Sequence, residues 1–283
     1  MPIFNLVVIP GIINNAVLSE ALAFCERKFA FLIMDPPVID NADGGSANYI
    51  GKFIDQSGDS NSNVAPLSQN GALYFPYLKS FDPITANPVS LPPSGFVAGI
   101  YARTDTNRGV WKAPAGLETT VLDTTGVVTS GLMTDPRQGD LNNKGVNCLR
   151  SFSTGTVVFG ARTLVSSNTA FQQWKYVPVR RMALFIEQTL RANLTWVIFE
   201  PNDAPLWTAI RTSIEGFMLS LFNQGALQGA TPSQAFQVKC DSSTTTQDDI
   251  NNGIVNIIVA FAPLKPAEFV IIKIAQLAGQ AQA

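Results

Sequence analysis

Apolar residues recur at steps of three and four at Leu206, Ile210, Ile214, Phe217 and Leu221. That spacing places them on one face of an α-helix about five turns long. Pro201, Asn202 and Asp203 precede this run as a helix-starting sequence. Pro205 fits the first turn, where a missing N–H costs nothing, and Gly225 marks the end. Beyond it the period shortens. Strands are expected over 236–240, 254–261 and 268–274, with a polar loop carrying Asp248 and Asp249 between the first two. In the last strand Val270, Ile272 and Ile274 share one face and Phe269 and Ile271 the other, with Lys273 the single polar relief. Both faces want cover, so this strand is either central in its own sheet or paired with a strand of another molecule.

Near the start, an apolar run over 3–9 ends at Pro10 and Gly11 and reads as a buried strand. Asn14 and Asn15 open a helix through Arg27, and a second buried strand over 29–34 is stopped by Asp35, Pro36 and Pro37. Strand, helix, strand in this space predicts a βαβ unit and hence a parallel sheet with helical cover. Residues 41–70 are rich in Gly, Ser, Asn and Asp and read as a surface excursion with a helical turn near 48–53. A strand over 73–78 follows, whose Tyr74, Phe75 and Tyr77 read as core aromatics because no basic groove accompanies them.

Prolines keep 83–93 extended. Ser94 is placed to cap a helix burying Phe96, Val97, Ile100 and Tyr101. Short strands are expected near Val121 and Val127, a polar helix over 135–143, and a hairpin from 146–152 and 156–159 leading to Arg162, a candidate for a charge pair. Residues 177–179 read as extended, 180–192 as helical and 195–199 as extended. The fold class is therefore α/β (α+β), a mixed sheet with a βαβ start covered by helices, followed by a long helix and β-strands.

Net charge is −2, so no basic field points to nucleic acid or an anionic membrane surface. Charged residues make up 14% of the chain, against roughly 25% in ordinary soluble domains. A surface so poor in charge is weakly protected against self-association, which suits a subunit packed among copies of itself, or it is simply polar and uncharged. The three cysteines, Cys25, Cys148 and Cys240, are far apart, give no disulfide framework or zinc spacing, and read as small core residues. No basic leader and no apolar run of membrane-spanning length is evident, so synthesis in the cytoplasm as a soluble protein is expected.

The chain has no histidine. That removes Ser-His-Asp and Cys-His catalysis and histidine-containing metal sites. Phosphate-loop, G-x-S-x-G and S-x-x-K patterns are also missing. Asp248 and Asp249 resemble half a cation site but lack the Asp-x-Asp-x-Gly spacing, and read as helix caps or solvated charges. The carboxylate pairs Asp35/Asp40 and Glu200/Asp203 could perform acid–base work only across a cleft that nothing in the sequence supplies. Neither a cofactor nor an enzymatic activity is expected; a small α/β enzyme rests on the βαβ start alone.

Several longer phrases carry a resemblance. EPNDAPLW (200–207), GALQGATPSQAFQVKCD (225–241), TTQDDINNG (245–253) and APLKPAEFV (262–270), with WKYVPVRR at 174–181 upstream, resemble the C-terminal part of contractile tail sheath proteins. This family serves phages, R-type bacteriocins and related injection particles. PPSGFVAGIYARTDTNRGVWKAPAG (92–116) and FGARTL (159–164) resemble the same family's middle part. The resemblance implies an outer sheath-like domain over 1–165 and an inner C-terminal domain over 166–283 ending in a linking strand. It implies a subunit made in the bacterial cytoplasm that polymerises as helically stacked hexameric rings around an inner tube protein, bounded by baseplate and terminator proteins, and contracts to drive the tube through a target envelope. Neither nucleic acid nor a membrane is implied as a partner. A baseplate or tail-terminator protein sharing the C-terminal domain is the alternative.

In the family the C-terminal strand crosses to a neighbouring subunit beside the N-terminal arm of another. The matching residues here are Ala267, Glu268, Phe269, Val270, Ile271, Ile272, Lys273 and Ile274. The resemblance also turns the long helix toward the inner tube, where it offers Arg211 and Glu215 as charges; these two could equally form an i,i+4 pair in solvent. Family members carry an N-terminal arm and further strands before the βαβ unit, so Met1 looks like the start of a truncated or short form.

Overall fold

The computed structural model describes residues 4–37, 46–54, 64–129 and 133–268. In chain order its strands are β1 (Leu6–Val8), β2 (Phe31–Met34), β3 (Gly71–Phe75), β4 (Leu78–Phe81), β5 (Pro88–Leu91), β6 (Gly126–Val127), β7 (Val146–Phe152), β8 (Gly155–Phe159), β9 (Phe236–Lys239) and β10 (Ile258–Phe261). The helices are α1 (Asn15–Lys28), α2 (Ser46–Ile54), α3 (Ser94–Arg108), α4 (Asp135–Asn143), α5 (Val177–Asn193), α6 (Ala204–Asn223), α7 (Pro232–Ala235) and α8 (Gln247–Asn251).

The principal sheet has five strands in the order β1-β2-β3-β7-β8. The first four run parallel and β8 returns antiparallel to β7. The βαβ start is as the sequence predicts: Asn14 caps α1 by accepting the Val17 N–H, and Phe29 ends it in the left-handed region at φ 56°. All four residues of β2 are buried because the sheet is covered on both faces. Leu32 and Met34 join Leu18, Leu22 and Cys25 of α1 and Ile50 and Phe53 of α2 in one core. Phe31 and Ile33 join Tyr74 of β3 and Val97, Ile100 and Tyr101 of α3 in the opposite one. At Gly71 the layers come so close that a Cβ would stand 2.7 Å from Leu164 Cδ1 and 2.8 Å from Leu22 Cδ2.

Helix α6 builds a third core. Leu206, Ile210, Ile214 and Leu221 are buried as the period requires, Trp207 and Met218 join them, and Phe217 is half-buried at the margin. The antiparallel pair β9–β10 packs against α6 with Val238 and Cys240. Asp203 caps α6 by accepting the Leu206 N–H at 3.1 Å. Asn202 ties the helix start to the rest, accepting from the Trp207 indole at 2.8 Å and donating to the Ile254 carbonyl at 3.0 Å.

Helix α5 belongs to two cores at once, with Val177 and Leu184 in the second and Met182 and Ile186 in the third. Two consecutive buried arginines fasten it. Arg181 makes a bidentate pair with Asp105 of α3 at 2.8 and 2.6 Å and lies over the Tyr101 ring. Arg180 donates to Asn70 at 2.9 Å and covers the Trp174 ring. Buried guanidinium groups are tolerable because planar donors reach carboxylate, amide and ring partners together.

Several expectations need correction. Residues 177–179 are the first turn of α5, not extended chain; Pro178 occupies an early helical position that needs no N–H. Residues 195–199 form a 3₁₀ helix, Thr195–Val197, and a turn rather than a strand. Strand β1 is a half-buried edge strand instead of a buried one. Only β10 of the expected 254–261 strand is paired, while Asn256 N–H is taken by Thr245 Oγ1 at 3.1 Å. Ser94 does not cap its own helix: it is the first residue of α3, and buried Asp35 accepts its N–H and hydroxyl, each at 2.7 Å, and the Gly11 N–H at 2.9 Å. Burial pushes the Asp35 carboxyl above its ordinary value against these hydrogen bonds.

Replacing Asp105 by Ala leaves Arg181 buried without its carboxylate, and is expected to cost about 3 kcal/mol. The exposed Glu20–Arg27 pair provides the contrast: Glu20→Ala should cost less than about 1 kcal/mol. Urea unfolding of both variants checks the difference.

Candidate functional site

The two-stranded sheet of β9 and β10 pairs with no further strand among the described residues. Ile258 of β10 and the nearby Ile254 stay exposed. Past β10 the chain is held by a bridge between Leu227 and Pro263, by Gln228 N–H to Ala262 O at 2.9 Å and by Ala262 N–H to Ala235 O at 2.8 Å. Residues 264–268 then leave the third core and reach the end of the five-stranded sheet. There Glu268 meets Arg162.

Arg162 follows β8, and its backbone is fixed by Asn147 of β7, whose side chain accepts the Arg162 N–H and donates to its carbonyl at 2.6 and 2.8 Å. The buried guanidinium gives one NH to the Asn142 carbonyl at the end of α4 at 2.8 Å. The other edge is bidentate to Glu268, Nε to Oε1 at 2.9 Å and Nη2 to Oε2 at 2.7 Å. Tyr176, which precedes α5, donates its hydroxyl to the same carboxylate at 3.3 Å. Burial alone would raise the Glu268 carboxyl; the hydrogen bonds and charge of Arg162, helped by Asn142 and Lys175, outweigh it and hold the group below its ordinary 4.5. The Tyr176 phenol is pushed up, by burial first and by the Glu268 charge second. Beside this junction lies a groove of about 670 Å³ walled by Trp111, Phe159, Gln224 and the crossing segment itself.

Ala267 and Glu268 are therefore placed at the root of the tail. Phe269, Val270, Ile271, Ile272, Lys273 and Ile274 lie outside the described residues. Arg211 is half-buried on α6 and donates to the Cys240 carbonyl at 3.3 Å, while Glu215 is exposed. No ion pair joins these two among the described residues. Asp249 closes a capping box with Thr246 at the start of α8, which holds its carboxyl below the ordinary value. No group of His, Cys, Asp or Glu among the described residues could hold a metal ion. Asp203 is a helix cap and Asp35 a buried loop tie, whereas Asp40 lies outside the described residues. The cysteines are free and buried, and burial pushes the Cys25 and Cys148 thiols up to about 12. No described helix is long and apolar enough to cross a membrane.

Sequence reasoning marked Arg162 as a candidate for pairing and missed its partner, 106 residues away. A signal existed: FGARTL and APLKPAEFV, two of the phrases that carry the family resemblance, hold the two members of the pair.

Comparison with known proteins bears on this arrangement. A model of the phage tail sheath protein central domain matches residues 3–164, and one of the phage tail sheath C-terminal domain matches residues 169–276. The tail sheath protein of Salmonella phage ViI is 27% identical over 177 residues, 62% of this chain and 26% of that protein. That of Burkholderia phage BcepMu is 29% identical over 173 residues, 59% of this chain and 35% of that protein. The chain thus spans between a quarter and about a third of these relatives' length. Among solved structures, the PVC sheath complex of an extracellular contractile injection system in its contracted state superimposes with TM-score 0.79 at 31% identity, covering 96% of this chain and 70% of that one.

Because the folded Glu268 pKa lies below the unfolded one, the pair stabilises the fold above the ordinary glutamate value. That contribution is lost as pH falls through the depressed folded value. A carbon-detected NMR titration of Glu268 should give a midpoint below 4.5. In Arg162→Met, with burial left and the cation gone, the midpoint should rise above it.

Proposed function

Because the chain belongs to the phage tail sheath protein family, we propose that it is a structural subunit of a contractile sheath, which assembles around an inner tube and contracts to drive that tube through a target envelope. On this reading its partners are further copies of itself in helically stacked hexameric rings, the tube protein, and the baseplate and terminator proteins at the two ends. The work of contraction would come from interface burial. At about 25 cal/mol per Å² of apolar area, a few hundred Å² gained per subunit is worth several kcal/mol, repeated over many copies.

One observation carries the assembly reading: a two-stranded sheet, β9–β10, is left without further pairing among the described residues, in a chain whose tail is an apolar strand sequence. Such a sheet is a template for strand addition. Within 267–274 we assign 269–274 to the strand that crosses to a neighbour, with Ala267 and Glu268 as its root on the home chain, and β9–β10 to the sheet that receives it. The low charge of the chain suits a surface repeatedly covered by its own kind. The division near residue 165 fits the separation of the α6 core from the cores of the five-stranded sheet. The exposed side of α6, with Arg211 and Glu215, is the surface we assign to the inner tube.

Removal of residues 269–283 should leave a folded chain with an unfolding midpoint close to that of the full chain, yet unable to form tubes. Circular dichroism on heating and negative-stain electron microscopy check the two halves of this outcome. Tubes built by the shortened chain would overturn the shared-strand assignment.

A further inference from the structure

The segment from Pro263 to Glu268 is attached differently at its two ends. The near end is held by backbone: the Leu227–Pro263 bridge and the hydrogen bonds of Ala262. The far end is held by the Glu268 carboxylate on Arg162 and Tyr176. Between these points Leu264, Lys265 and Ala267 are exposed, and beyond the bridge no backbone–backbone hydrogen bond is made by 265–268 among the described residues. Its inner side faces the groove of about 670 Å³, so it spans a hollow instead of lying on a packed floor. Pro263 and Pro266 fix φ and restrict the residues before them, which makes the crossing short and stiff. A stiff strap with no floor takes its direction from its end points.

We infer that Arg162 and Glu268 are a positioning pair for the tail: their ion pair fixes where the chain leaves the subunit, anchoring the exit to the five-stranded sheet rather than to the β9–β10 sheet that precedes it in sequence. Arg162 suits this role because its other contacts, to Asn142 and Asn147, tie it to α4 and β7. A pull on the tail would then load the sheet directly. The consequence for assembly rests on the sheath reading above; the positioning itself does not.

The test is the backbone nitrogen–proton heteronuclear NOE of the full, unassembled chain, comparing wild type with Glu268→Ala, Glu268→Gln and the strap control Lys265→Gln. Glu268→Gln keeps the shape and a neutral hydrogen bond, so it retains the fold if Glu268→Ala does not. The NOE ratios of the Leu264, Lys265 and Ala267 amides should fall toward those of a free chain end in Glu268→Ala and less far in Glu268→Gln, with α6 and β9 unchanged, as expected when a stiff segment loses one of its end points. Lys265→Gln should match wild type. Wild-type NOE ratios along the strap in the folded Glu268 variants would overturn the proposal. Electron microscopy of the same samples separates the two ideas: a wild type that builds no tubes counts against the sheath reading, while the NOE result still decides the positioning pair.

Discussion

Helix α5 is the constraint on which the rest of the molecule depends. One of its faces lies in the core under the five-stranded sheet and another in the core of α6. Such a helix transmits displacement only if it cannot slide, and hydrophobic contacts alone are non-directional. Arg180 and Arg181 supply the direction. Their partners, Asn70 at the base of β3 and Asp105 on α3, hold the helix in rotation and in register. Desolvating two guanidinium groups has a cost that apolar residues would avoid, so what the pair contributes is specificity of placement more than net stability.

The tail root repeats this logic on a smaller scale. Arg162 is buried at the end of the hairpin from β7 and β8, and Glu268 arrives from the far end of the chain to neutralise it. The five-stranded sheet and the α6 core are thus tied twice, by a helix with two cores and by a strap with an ionic end. On the proposed reading as a sheath subunit this would matter, because sliding between neighbours would deliver work only if each copy moved as a body. An apolar strand shared with a neighbour would keep copies connected while their remaining contacts exchange.

Much of the fold was legible in local pattern. Helix α6 announced itself by its period and its Asp203 cap, and α4 by its polar sequence; Thr134 proves to be its cap, with Pro136 in its first turn. The β7–β8 hairpin and the βαβ start followed from short apolar runs between turn residues. What failed was also local in cause. Pro178 marks a helix start as readily as an extended segment, and only the burial of the residues around it decides between them. Asp35 looked like a strand terminator and is the tie for Gly11 and Ser94, a role set by a neighbour 59 residues on. The Arg162–Glu268 pair is 106 residues apart in sequence, beyond the reach of any periodicity. The family phrases were the one signal that touched both members.

The most direct measurement of the account is a cryo-electron microscopy reconstruction of tubes assembled from this protein, at a resolution that traces the chain beyond Glu268. The account predicts that residues 269–274 lie as an added strand on the β9–β10 sheet of an adjacent subunit, with Glu268 still on Arg162 of its own. A tail folded back along the β9–β10 sheet of the same subunit, with neighbours joined through other surfaces, would contradict it.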